Sequence, residues 1–148
     1  MIQRVQSIWL FLASMISGLL FLPSVILYKW GVAGLPLPKL YTLNAANFYP
    51  LLILAGFMAV LPLVAIFFFA DRKRQRGIAT LGILASAAFA IVLFMKIANI
   101  NSTYTGITGQ EYGILGAMIP VATIIFLILA IRGIRKDEKL IRSVDRLR

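Results

Sequence analysis

The chain has 148 residues, of which 61% are apolar and 14% are charged, and its mean hydropathy is +0.93. Those values exclude an ordinary soluble domain and point to a membrane protein. It carries 15 Lys+Arg against 5 Asp+Glu and has neither Cys nor His. This excludes disulfide frameworks, thiol nucleophiles, Cys- or His-ligated metal sites and every catalytic triad built on histidine.

In chain order, the first expected span runs from about Ile8 to Tyr28, preceded by Arg4. It is longer than the apolar region of a signal peptide and is read as a retained helix. Pro23 falls in its last two turns, where the helix end absorbs the lost hydrogen bond. Gly31, Gly34, Pro36 and Pro38 punctuate the next stretch, which reads as a loop with a short extended segment at Lys39–Leu43. The second span is expected over about 48–70, with Pro50 in its first turn. Pro62 inside it leaves the Met58 carbonyl without a donor and predicts a kink. Asp71-Arg72-Lys73-Arg74-Gln75-Arg76 then reads as a tight basic turn. A third span over 77–95 ends at Lys96, a weakly charged loop runs from Ile97 to Glu111, and a fourth span covers 112–131. Pro120 opens the carbonyl of Gly116 there, a second expected kink.

Lys/Arg bias sets orientation. Twelve cations fall on the side of the termini and the basic turn, and three (Lys29, Lys39, Lys96) on the other. Both termini are therefore expected in the cytoplasm. All five tyrosines, with Trp30, lie on the opposite side and read as an aromatic belt at the outer interface. The cations lie beside apolar spans rather than on a soluble basic face. Anionic lipid headgroups, not nucleic acid, are the expected partners of Arg72, Lys73, Arg74 and Arg76.

In the third span, Ala79, Gly82, Ser86 and Ala90 share a helical face, and Ser14 and Gly18 make a shorter version in the first. Small residues let helices approach closely where lipid offers no hydrophobic drive. Both faces are expected to pack within the molecule. The acids Asp71, Glu111, Asp137, Glu138 and Asp145 all lie outside the span interiors. Proton-coupled transporters commonly keep an ionisable group there, so that class is disfavoured. Lys96 is read as snorkelling to the interface and Glu111 as solvated. No catalytic, cofactor-binding or metal-ligating residue is expected.

The tail from Arg132 is strongly charged. As a helix it gathers Leu140, Ile141, Val144 and Leu147 on one face, with Arg142 and Arg146 away from it. That is a short amphipathic helix, able to lie on headgroups or to dock a membrane or cytoplasmic protein.

The start, Met1-Ile2-Gln3-Arg4-Val5-Gln6-Ser7-Ile8-Trp9-Leu10, and the end, Arg135-Lys136-Asp137-Glu138-Lys139-Leu140-Ile141-Arg142-Ser143-Val144-Asp145-Arg146-Leu147-Arg148, resemble a bacterial family of small membrane proteins known as domain of unknown function 4293. The resemblance implies a bacterial inner-membrane protein with four spans and supplies no activity or catalytic residue. The expected fold is all-α: an integral membrane four-helix bundle, one domain over 1–148, with a cytoplasmic C-terminal amphipathic helix. The expected role is a non-enzymatic accessory, scaffold or regulatory subunit, and the alternative is a small transporter or channel for a neutral or lipophilic solute.

Overall fold

Helices begin and end where local chemistry dictates, and these ends differ from the sequence expectations at several points. The computed structural model describes residues 3–32, 39–104 and 107–145. Helix α1 covers Gln3–Gly18 and continues as one 3-10 turn, Leu19–Phe21. The first span therefore does not reach Tyr28. A proline forces the residue before it out of the helical region, and Leu22, before Pro23, is extended at φ −72°, ψ 129°. Pro23 stops this helix rather than riding within it.

Helix α2 covers Tyr49–Phe67, with Pro50 in its first turn and Pro62 buried inside it. Helix α3 covers Arg72–Thr103, so the cation run is its first turn and not a loop. Asp71 caps it, its carboxylate accepting from the Arg74 backbone N–H at 3.1 Å. Such a cap satisfies one of the orphan donors at a helix start. Cations in a first turn oppose the helix dipole, so Arg72, Lys73 and Arg74 are not there for helix stability. Helix α4 covers Ile114–Asp145 and is continuous, so the tail is the end of this helix and not a separate amphipathic one.

Three antiparallel-paired strands sit at the opposite end from the cation run: β1 (Tyr28–Val32), β2 (Lys39–Leu43) and β3 (Ile107–Tyr112), in the order β2-β1-β3. Only the β2 segment was foreseen as extended. Tyr28 pairs with Leu43 on one side and with Tyr112 on the other. Between the Lys29–Glu111 and Gly31–Thr108 pairs, β3 carries one extra residue. Gly109 sits there at φ 65°, a left-handed conformation that glycine adopts without a Cβ penalty.

The helices pack as neighbours around a ring: α1 on α2, α2 on α3, α3 on α4 and α4 on α1. One core cluster lies under the sheet and contains Tyr28, Trp30, Leu51, Phe89, Leu93 and Ile119. The other lies toward the cation run, around Leu10, Ala13, Ala79, Leu127 and Ala130. Helices α2, α3 and α4 are long and apolar enough to cross a membrane; α1 is a shorter apolar helix. Their outer faces carry bare apolar side chains, among them Phe57, Phe94 and Leu115. A chain surrounded by water rarely leaves such continuous apolar surface uncovered.

Helices α3 and α4 have 32 residues each, or about 48 Å at 1.5 Å per residue. A hydrocarbon core is about 30 Å thick. They run antiparallel with a stagger: α3 projects past the ring at the sheet end, and α4 projects at the basic end.

Candidate functional site at the two polar ends

The sheet end is built on a backbone contact. Leu27 donates its N–H to the Leu43 carbonyl at 2.8 Å, and Gly113 donates to the Leu27 carbonyl at 3.0 Å. A Cβ on Gly113 would stand 1.7 Å from the Ile26 carbonyl oxygen, so only glycine admits this approach. The aromatic residues are not a lipid-facing belt as a group. Tyr28 and Trp30 are buried, Tyr28 stacks on Trp30 at 5.7 Å, and Trp30 stacks on Tyr41 at 5.5 Å. Tyr112 tilts against Tyr28 at 5.3 Å. The Tyr28 hydroxyl donates to Asn101 Oδ1 at 2.8 Å, tying β1 to the projecting end of α3. Burial pushes the Tyr28 phenol above its usual value, with the neighbouring Tyr112 adding to the rise and the Asn101 bond opposing it. Glu111 is paired with Lys29 at 3.5 Å, and Lys96 lies over the Phe48 ring at 4.7 Å.

At the basic end, the cation run divides by direction. Lys73 and Arg74 are exposed, while Arg72 and Arg76 are half-buried. Arg72 Nη1 donates to the Asp137 carbonyl at 3.2 Å, and Arg76 Nη1 pairs with Glu138 Oε2 at 3.2 Å. The Gln6 amide donates to the Asp137 carboxylate, so α1, α3 and α4 are joined through two consecutive acids of α4. Asp137 is buried at 6% exposure, although the sequence places it in a charged tail. Gly133, one turn earlier, makes room for Gln6: a Cβ there would be 2.8 Å from Gln6 Cγ. The signal missed in the sequence is Gly133 at i−4 from Asp137, opposite Gln6. Arg76, Arg135, Glu138 and Lys139 line a recess of about 260 Å³.

Between the ends, the predicted packing residues are placed as follows. Ser14 is buried and donates to the Ala59 carbonyl at 2.8 Å. Gly18 is half-buried, and nothing lies within 4 Å of where its Cβ would be. Ala79, Gly82 and Ser86 are buried, with Leu127 Cδ1 3.0 Å from a Gly82 Cβ. Ala90 does not continue that row. It is exposed, and Phe89 takes the inward position, because the inward spacing over Ala79, Gly82, Ser86, Phe89 and Leu93 is three, four, three, four, as a 3.6-residue turn requires. Ser17 and Thr123 share a hydrogen bond at 2.9 Å across α1 and α4. Pro62 and Pro120 are buried and their helices run unbroken through them. Gly116 acts as a contact point: a Cβ would stand 2.5 Å from Leu27 Cδ2.

Ala90 instead borders a groove of about 440 Å³ between α3 and α4, lined also by Leu93, Phe94, Ile97, Tyr112 and Pro120. The side chains of Leu140, Ile141, Arg142 and Val144 lie outside the described residues, as do Arg146 and Leu147 entirely. Among the described residues no cluster of acids suits a metal ion. The family model described as Domain of unknown function (DUF4293) matches residues 2–147. Neither the curated proteins nor the solved structures include a match to this chain.

Proposed function

The chain belongs to the DUF4293 family, and from that premise we propose that it is a non-enzymatic accessory or scaffold protein of the bacterial inner membrane. In this reading all four helices span the bilayer. Helix α1 with its 3-10 turn has 16 and 3 residues, about 30 Å in all, which matches the hydrocarbon core. The imbalance of twelve cations to three puts the basic end and both termini in the cytoplasm. Reporter fusions near Gln75 and Arg148 then give cytoplasmic signals, and fusions near Pro38 and Thr105 give external ones. A cytoplasmic signal at Pro38 defeats the four-span arrangement.

The observation that carries the scaffold reading is closure at both ends. Stacked aromatics fill the sheet end, and Gln6, Arg72 and Arg76 tie the other end to α4. Mid-depth hydroxyls are satisfied by one another or by helix carbonyls rather than lining a path. What the molecule presents is the projecting end of α4. Residues 140–145 carry the helix about 9 Å beyond the contacts of Asp137 and Glu138, which suits contact with a cytoplasmic or membrane protein. A photocrosslinker at Ser143 in intact membranes tests this. A specific protein crosslink, lost when Leu140 and Val144 are changed to Ala, is expected; crosslinks to lipid alone overturn it.

The groove beside Pro120 favours a second reading, a small transporter for a neutral or lipophilic solute. Solute-dependent protection of a cysteine placed at Ala90 would support that reading over the first.

A further inference from the structure

One row of α4 side chains changes character along its length. Val121, Ile125 and Ile128 are exposed at 53%, 52% and 40%. The same row, at alternating steps of four and three, continues through Arg132, Arg135 and Lys139, all exposed. From Val121 to Arg132 is about 16 Å of helix, close to one leaflet of a hydrocarbon core of about 30 Å. On α3, Arg76 reaches the basic end of that row and pairs with Glu138. An apolar track of leaflet length thus ends in a cationic recess formed by two helices.

The recess has an excess of positive charge. Arg76, Arg135 and Lys139 surround a single acid, Glu138, whose carboxylate is engaged with Arg76. Arg135 and Lys139 are one turn apart, where like charges repel. A phosphate oxygen accepts strong charge-assisted bonds from guanidinium and ammonium groups and relieves that repulsion. Basic pockets between membrane helices on the cytoplasmic side suit anionic lipid headgroups.

We propose that the Arg76–Arg135–Lys139 recess binds the phosphodiester of an anionic phospholipid, one acyl chain of which lies along Val121, Ile125 and Ile128. This rests on the four-span reading with the basic end in the cytoplasm. The reporter fusions test that reading separately, so failure of lipid binding with correct topology falls on this inference alone.

The experiment is native mass spectrometry of the full chain in a zwitterionic detergent. It is titrated with phosphatidylglycerol, and then with phosphatidylcholine of the same acyl chains. Phosphatidylglycerol is expected to bind in preference. Each cation near anionic lipid contributes about fivefold in affinity, so Arg135→Gln with Lys139→Gln is expected to weaken it roughly 25-fold. Lys96→Gln, a cation about 30 Å along α3 from Arg76, leaves binding within about twofold, the size expected of a distant, screened charge. Thermal unfolding of each variant checks that the fold persists. Equal binding of the two lipids, or equal losses from the recess variant and from Lys96→Gln, overturns the proposal. Inorganic phosphate at millimolar concentration serves as competitor. Displacement of the lipid by it assigns the recess to free phosphate and overturns the lipid assignment, whereas retention of the lipid supports it.

Discussion

Gly113 and Ile26 approach so closely that the glycine Cα hydrogens fill the only space a side chain would need, with the Ile26 carbonyl oxygen 1.7 Å from a Cβ built there. That contact holds the start of α4 against the segment leading into β1. Gly113→Ala is therefore expected to cost about 3 kcal/mol or more, since neither backbone can yield cheaply. Gly77→Ala, a helical site with nothing within 4 Å, is expected to be neutral or to stabilise by about 0.5–1 kcal/mol. Thermal unfolding in detergent distinguishes them, and equal melting of the two variants would contradict the contact.

Gln6 and Gly133 form a pair that a double-mutant cycle can read. Gly133→Ala alone drives a methyl into Gln6 Cγ and pushes the amide off Asp137. The expected loss is about 1–3 kcal/mol. In a Gln6→Ala background the clash with Cγ is gone and the residue-6 Cβ at 3.8 Å is an ordinary contact, so the pair is expected to couple by about 1 kcal/mol or more. Additive losses would mean that Gln6 does not occupy the space glycine leaves.

Tyr28 predicts an alkaline limit for the sheet end, where it opens strand β1 outside the apolar helices. Its phenol is raised above the ordinary value, chiefly by burial. The folded chain then keeps a proton that the unfolded chain loses. Stability is unaffected below pH of about 10 and falls as pH rises through the native value. Ionisation also removes the donor to Asn101. Fluorescence of Trp30, stacked on Tyr28, is expected to report the opening. Tyr28→Phe should abolish that alkaline step at a cost of about 1 kcal/mol at neutral pH. A transition unchanged in Tyr28→Phe would assign it to another group.

Ser86 and Ala90 lie one turn apart, but Ser86 is buried and Ala90 is exposed at the edge of the α3–α4 groove. Ser86→Leu is expected to destabilise by about 1–3 kcal/mol through overpacking, whereas Ala90→Leu falls within about 0.5 kcal/mol. Urea-resistant helicity or melting in detergent provides the comparison. A larger loss from Ala90→Leu would reverse the inward face assigned to α3.

The long helices were legible because their apolar runs need no partner to be recognised. Small residues at Ala79, Gly82 and Ser86 also marked an inward face correctly, but the row drifted off at Ala90 because strict four-residue steps outrun a 3.6-residue turn. The sheet was harder to see. Alternation in Tyr28-Lys29-Trp30-Gly31-Val32 is only five residues long, and its aromatics fit an interfacial belt equally well. Strand pairing between positions such as Tyr28 and Tyr112 is a tertiary fact with no local marker. The basic turn was read as a loop because charge density hid its cap, Asp71, and its helical first turn. The residues around Asp137 in sequence are polar and charged and carry no sign of burial; its partner Gln6 is 131 positions away.

That separation has a consequence for biogenesis. Helix α1 finishes its contacts on α4, and Gln6 waits for an acid 131 positions later. Translation runs at about 5–20 residues per second, so α1 waits on the order of ten seconds before α4 arrives. During that interval Gln6 lacks its acid and Ser17 lacks Thr123. A nascent chain stalled before Thr123 leaves both groups without these partners, so the unfinished bundle differs from the finished one in its polar contacts as well as its apolar ones.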